Sequence, residues 1–189
     1  MKKLLEDYIS RVEKCLELLD LDALERLVDI LTEKIRSGKK IFLFGNGASA
    51  AISSHSACDL NKGLVGEGIP RVKAICLNDN IPLMTAWSND EGYETVFREQ
   101  LANLLEDGDA VIAISSSGNS PNVLNAVEFA NQKGAFTIAL TGMGGGKLAS
   151  LAQLAFVVKG DFYEEVEDTH FVITHMLKMA LKQKLHQRK

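Results

Sequence analysis

The sequence has no surplus of positive charge: 21 Lys and Arg against 25 Asp and Glu leave a formal net charge of −4. Affinity for a phosphate backbone or an anionic lipid surface needs a basic field, so neither nucleic acid nor membrane is expected as a partner. It also has no apolar stretch approaching the roughly 20 residues of a spanning helix. The first twenty residues, MKKLLEDYISRVEKCLELLD, do not read as a signal peptide, because charges interrupt every candidate apolar core. Cysteine is scarce: Cys15, Cys58 and Cys76 lack paired-ligand spacing, as expected of reduced residues in a cytoplasmic protein. Internal repeats and low-complexity tracts are missing too. What is there is ordinary for a globular chain: 189 residues, 46% hydrophobic and 24% charged. That size suits one domain over residues 1–189.

Two textures divide the chain. Up to Gly38 the spacing is helical: Leu5, Ile9, Val12, Leu16 and Leu19, then, after a break at Asp20-Leu21-Asp22, Leu24, Leu27, Val28, Leu31 and Ile35. Two such amphipathic helices need a surface to cover, either the rest of the chain or another subunit. From Lys40 onward, short apolar runs alternate with helical patterns. Strands are predicted at 40–44, 71–77, 110–115, 136–140 and 154–158, and helices at 49–61, 92–105, 121–132, 147–152 and 165–186. Strand–helix–strand repetition implies parallel pairing with right-handed crossovers. The expected fold class is therefore α/β, a three-layer αβα sandwich with a parallel sheet of about five strands, preceded by a helix pair. Ligands of such sheets sit beyond the carboxyl ends of the strands.

Two turns at those ends suit an anion. The first, GNGASA after strand 40–44, matches the dinucleotide pattern with Ala50 in the third glycine position. Its glycines permit close backbone approach, and a helix N-terminus follows. The second is ISSSGNSPN, residues 114–122, where Ser115, Ser116 and Ser117 set hydroxyls beside backbone N–H groups. Ser120 is placed to cap the next helix and Pro121 suits its first position. One such turn would be read as a tight loop and cap; two in one sheet favour a phosphate cradle. A nicotinamide dinucleotide is the other reading, with Asp79, 29 residues after Ala50, as the ribose acid. The serine turn has no role there.

Two helices each combine histidine with carboxylate. His55 and Asp59 stand at i and i+4 on one face, among Ala50, Ala51, Ile52, Ala57, Cys58 and Leu60, which suggests a largely buried helix. The last helix carries VEDTHFVITHML, residues 166–177. A lone histidine on an apolar helix is more often core than ligand, but two constellations that each combine histidine and carboxylate shift that balance. In helical projection His175 lies about 20° from Asp168 and about 80° from Glu167, and either could be its partner. If the helices meet, His55, Asp59, Glu167 and His175 form an N₂O₂ set suited to zinc or another divalent metal. Without metal the same groups could shuttle a proton.

These segments, GNGASA, HSACD, SNDEGYETVF, AISSSGNSPNV, ALTGMGGGKLA and EDTHFVITH, together resemble the sugar isomerase (SIS) domain. Within it they resemble the sedoheptulose 7-phosphate isomerases, also called phosphoheptose isomerases, in the family's order over nearly the whole chain. The resemblance implies a homotetramer with the helices of 1–38 packed between subunits and an α/β core over 39–189. It implies a sugar-phosphate pocket lined by Asn46, Gly47, Ala48, Asn89 and Asp90, with Ser115, Ser116, Ser117 and Ser120 holding the phosphate. It also implies a metal and catalytic cluster of His55, Asp59, Glu167 and His175 that touches the substrate, with Asp59 and His175 as the acid/base pair. Three positions depart from the family: Asp59 replaces a glutamate, Glu167 a frequent glutamine, and Ala48 a glycine.

The implied activity is ketose–aldose isomerisation through an enediol, from sedoheptulose 7-phosphate to a heptose 7-phosphate, with a divalent metal, zinc first, as cofactor. Two other functions fit the fold and the serine turn: a non-catalytic sugar-phosphate sensor or replication-initiator partner, and an isomerase of another phosphosugar. The His/acid cluster favours an enzyme over the sensor.

Overall fold

The computed structural model describes residues 1–187. Two helices, α1 (Lys2–Glu17) and α2 (Leu21–Arg36), precede β1 (Lys40–Gly45). There follow α3 (Ala48–Gly63), β2 (Lys73–Cys76), α4 (Ile81–Asp90), a 3₁₀ turn at Tyr93–Thr95 and α5 (Val96–Leu104). The chain continues through β3 (Ala110–Ser115), α6 (Pro121–Gln132), β4 (Phe136–Thr141), α7 (Gly146–Leu151), β5 (Leu154–Val157) and α8 (Tyr163–His186). The strands form one sheet in the order β2-β1-β3-β4-β5, with every pairing parallel. The expected α/β sandwich, its five-stranded parallel sheet and the leading helix pair are all present.

Alternation along the strands builds two cores. Ile41, Leu43, Ile112, Ile114, Ile138 and Leu140 face one side and pack under α2, α3 and α8. Phe42, Phe44, Val111, Ala113 and Ala139 face the other and pack under α5, α6 and α7. Helices cover both faces, so the central strands read as continuous apolar runs. The strand order reverses between β1 and β3, whose register sets Gly45 opposite Ile114. The two anion-ready turns therefore leave the sheet side by side, at the point where open α/β sheets bind ligands.

The N-terminal helices divide their work. Asp20 caps α2 by accepting from the Ala23 N–H at 2.8 Å, and α2 buries Leu24, Leu27, Val28, Leu31 and Ile35. By contrast α1 buries only Cys15, and Leu4, Leu5 and Ile9 remain more than half exposed, at 59%, 58% and 56%. Polar contacts attach α1 to the start of α8: Arg11 Nε donates to Glu165 Oε2 at 3.0 Å, and Tyr8 Oη donates to Asp168 Oδ2. Burial works against charge on Glu165, but the N–H groups of Asp161 and Phe162 and the Arg11 guanidinium hold its carboxyl below the ordinary range.

Local chemistry explains the departures from the expected elements. The helix predicted over 92–105 becomes α-helical only at Val96, because Gly92 at φ 97 and the 3₁₀ turn precede it. Strand 71–77 pairs over Lys73–Cys76 alone. A helix not expected, α4, is started by Asn80, whose side chain accepts from the Leu83 N–H at 3.2 Å. The described residues contain no helix long and apolar enough to cross a membrane.

Candidate active site at the carboxyl edge of the sheet

Gly45 ends β1, and the chain turns through Asn46 and Gly47 into α3. Gly47 holds φ 56, a left-handed conformation that favours glycine, and nothing lies within 4 Å of where a Cβ would be. Ala48 is already the first residue of α3 and has no positive φ, so this backbone accepts a side chain there. After β3 the serine turn closes with Gly118 at φ 63, where a Cβ would sit 2.1 Å from the Gly145 carbonyl oxygen. The 142–147 loop thus packs directly on the serine turn, with the Leu148 N–H bonded to the Gly118 oxygen at 2.9 Å.

Between the two turns lies a cavity of about 120 Å³ lined by Asn46, Ser49, Ser115, Ser116, Ser117, Ser120, Tyr163 and Glu167. All four predicted phosphate serines meet here. Ser116 Oγ is buried and has no hydrogen-bond partner among the described residues. A buried hydroxyl left unpaired is costly, and a bound oxyanion would satisfy it. Ser120 stands at the N-cap of α6 but makes no capping bond, contrary to expectation. Its hydroxyl instead lies 3.3 Å from Ser115 Oγ and remains available to a ligand.

Asn46 is held by a clamp that the sequence did not reveal. Its Nδ2 donates to Asn122 Oδ1, and its Oδ1 accepts from Asn122 Nδ2 and from Tyr93 Oη, each at 2.9 Å. Ser49, Tyr93, Asn122 and Tyr163 were therefore missed as site residues. The SNDEGYETVF and SPNV segments contained two of them, but with no spacing rule to connect them to Asn46. Asn89 and Asp90 stand exposed at the end of α4, the Asn89 amide donating to its neighbour's carboxylate at 2.8 Å. They do not line the cavity.

The second constellation lies farther along the same two helices. His55 and Asp59 on α3 meet His175 on α8: Asp59 Oδ2 is 3.7 Å from each histidine Nε2, and the two Nε2 atoms are 3.3 Å apart. Phe171 packs against both rings, at 5.0 and 4.8 Å between centroids. The cluster is not in a buried helix face as expected; the His55 and His175 side chains are 46% and 44% exposed. Lys178 adds a cation, its Nζ 3.8 Å from the same Asp59 oxygen.

Glu167 does not join this cluster. His55, Asp59 and His175 offer donor atoms within 4.8 Å of one another, whereas Glu167 faces the serine cavity. Eight residues separate it from His175 on α8, a rise of about 12 Å. Burial raises its carboxyl pKa, and Glu164 and Asp168 add to the shift. Asp168, the closer partner of His175 in projection, is bonded to Tyr8 instead. Two imidazole nitrogens and one carboxylate oxygen with an open side fit a divalent metal, as in three-ligand catalytic zinc sites.

A family model described as "SIS domain" matches residues 6–142. The phosphoheptose isomerase of Aquifex aeolicus is 38% identical over 156 residues, covering 81% of each chain. That of Akkermansia muciniphila is 37% identical over 154 residues, covering 82% of this chain and 81% of its own. Among solved structures, a phosphoheptose isomerase from Francisella tularensis superposes with a TM-score of 0.88 at 29% identity, covering 96% of both chains. The phosphoheptose isomerase GmhA from Neisseria gonorrhoeae gives 0.87 at 26% identity with the same coverage.

Proposed function

Because this chain belongs to the phosphoheptose isomerases of the SIS domain family, we propose that it interconverts sedoheptulose 7-phosphate and a heptose 7-phosphate. The observation that carries this reading is that α3 and α8 each serve both constellations. From α3 come Ser49 of the cavity and His55 and Asp59 of the cluster; from α8 come Tyr163 and Glu167 of the cavity and His175 of the cluster. A sugar phosphate lying along the two helices is held at one end and reacts at the other.

The serine hydroxyls and the adjoining helix N-termini take the phosphate, and this fixes the sugar chain relative to the cluster. Asp59 removes the proton from the carbon beside the carbonyl while the carbonyl oxygen gains one, leaving an enediol. His175, whose Nε2 lies 3.7 Å from Asp59 Oδ2, delivers a proton to the former carbonyl carbon as the other enediol hydroxyl gives up its own, which forms the aldehyde. The electron pair stays on the sugar throughout, so no redox cofactor is required. Glu167 lines the phosphate end of the site, where burial, with Glu164 and Asp168, raises its carboxyl pKa. A divalent metal, with zinc as first choice, would be held by His55, Asp59 and His175 and would polarise the sugar oxygens.

The exposure of the cluster and the open apolar stripe of α1 support assembly. Enediol chemistry needs water excluded, and a second copy would cover both surfaces. A groove of about 390 Å³ between α2 and α8, lined by Leu21, Leu24, Val28, Met176 and Ala180, adds to the uncovered surface. We read residues 1–38 as the assembly element of a homotetramer and 39–189 as the catalytic core of one domain.

The test is NMR of sedoheptulose 7-phosphate with the protein in D₂O, with zinc and with chelator. The expected result is deuterium incorporation together with aldose formation. Exchange without aldose would assign a different phosphosugar. Silence in every metal condition from natively folded protein would refute the isomerase and favour a sugar-phosphate sensor.

A further inference from the structure

We propose that Lys178 is a resident cation of the His55–Asp59–His175 cluster that competes with a divalent metal for the Asp59 carboxylate and so weakens metal binding. The inference rests on the metal site proposed above. Its first support is geometry: Lys178 Nζ lies 3.8 Å from Asp59 Oδ2, and that single oxygen is also 3.7 Å from each histidine Nε2. Lys178 follows His175 by three residues and so shares its face of α8.

The second support is the seat built for the lysine stem. Gly63, one turn after Asp59, is the last residue of α3 and has no positive φ that would require glycine. A Cβ there would lie 2.7 Å from Lys178 Cε and 3.6 Å from Nζ. The bare backbone at Gly63 is where the lysine stem crosses α3. Gly63 leaves room for the lysine stem on its way to Asp59, and the lysine side chain is only 30% exposed.

A divalent ion bound to Asp59 must either displace this ammonium or sit beside it. Displacement loses the pairing, and coexistence adds repulsion between like charges a few ångströms apart. Both lower the affinity, and both weaken as salt screens the pair.

The experiment is calorimetric titration of zinc chloride alone into metal-free protein at low and high salt, with native folding checked by circular dichroism. Lys178→Met is expected to bind zinc about tenfold more tightly than wild type, or ~1.4 kcal/mol. Lys178→Gln serves as a second neutral variant, and Lys178→Arg, which keeps the charge, should stay near wild type. Gly63→Ala pushes the stem away and should shift affinity in the same direction as Lys178→Met. The gain should narrow in high salt and vanish in an Asp59→Asn background, which separates this site from adventitious zinc at exposed Cys58. Equal or weaker binding by the neutral variants overturns the competition and leaves the metal site standing. No binding by any folded variant overturns both.

Discussion

Acidification should destabilise this protein through one histidine outside the proposed chemistry. His170 lies on α8 with no exposed surface, and neither ring nitrogen has a hydrogen-bond partner among the described residues. Burial, opposed only in part by the Thr141 backbone, pushes its pKa from 6.5 down to about 4. In the unfolded chain the ring takes up a proton near pH 6.5; in the folded chain it stays neutral until about pH 4. Between those values the unfolded state binds more protons, so stability falls as pH falls. The loss from this group is about 2 kcal/mol at pH 5 and about 3 kcal/mol at pH 4, relative to pH 7.5. Urea denaturation followed by far-UV circular dichroism, at fixed chain concentration, gives the curve. Carboxylates such as Glu165 also titrate at the acid end, so the quantity to read is the difference from a His170→Met variant. That difference should move by about 3 kcal/mol in favour of methionine between pH 7.5 and pH 4. Parallel curves would refute the reasoning, because they would mean that His170 is protonated in both states or in neither.

Three further predictions concern catalysis. His175→Ala should abolish turnover while leaving phosphate binding little changed, as measured by inhibition of ligand exchange with inorganic phosphate; turnover near wild type would remove His175 from the proton path. Ser117→Ala combined with Ser120→Ala should raise KM at least tenfold with kcat within a few-fold, since the hydroxyls hold the non-reacting end of the substrate; an unchanged KM would place the phosphate elsewhere. Tyr93→Phe removes one hydrogen bond to Asn46, worth about 1 kcal/mol. The expected effect is a KM rise of about fivefold, and no change would mean that the Asn122 amide alone holds Asn46.

The fold was legible because its signals were local. Buried strands on both faces read as short apolar runs, and the glycine and serine turns fell where two of those runs ended. Of the site, the sequence offered the residues that carry chemistry but not their allocation. Helical projection placed Asp168 nearest His175, yet projection considers a single helix; Tyr8 of α1 takes that carboxylate. Glu167 is grouped with the histidines by helical projection and by the family resemblance, but its place one turn into α8 brings it to the cavity that the serines line. The Asn46–Asn122–Tyr93 clamp depends on three segments converging, and no periodicity encodes that. No motif or spacing in the sequence singles out Lys178 or Gly63. Only their crossing beside Asp59 gives either a chemical role. Asp59 belongs to the same local arrangement. Its carboxylate, shorter by one methylene than a glutamate's, stays close to α3, where an ammonium laid across the bare Gly63 backbone reaches it.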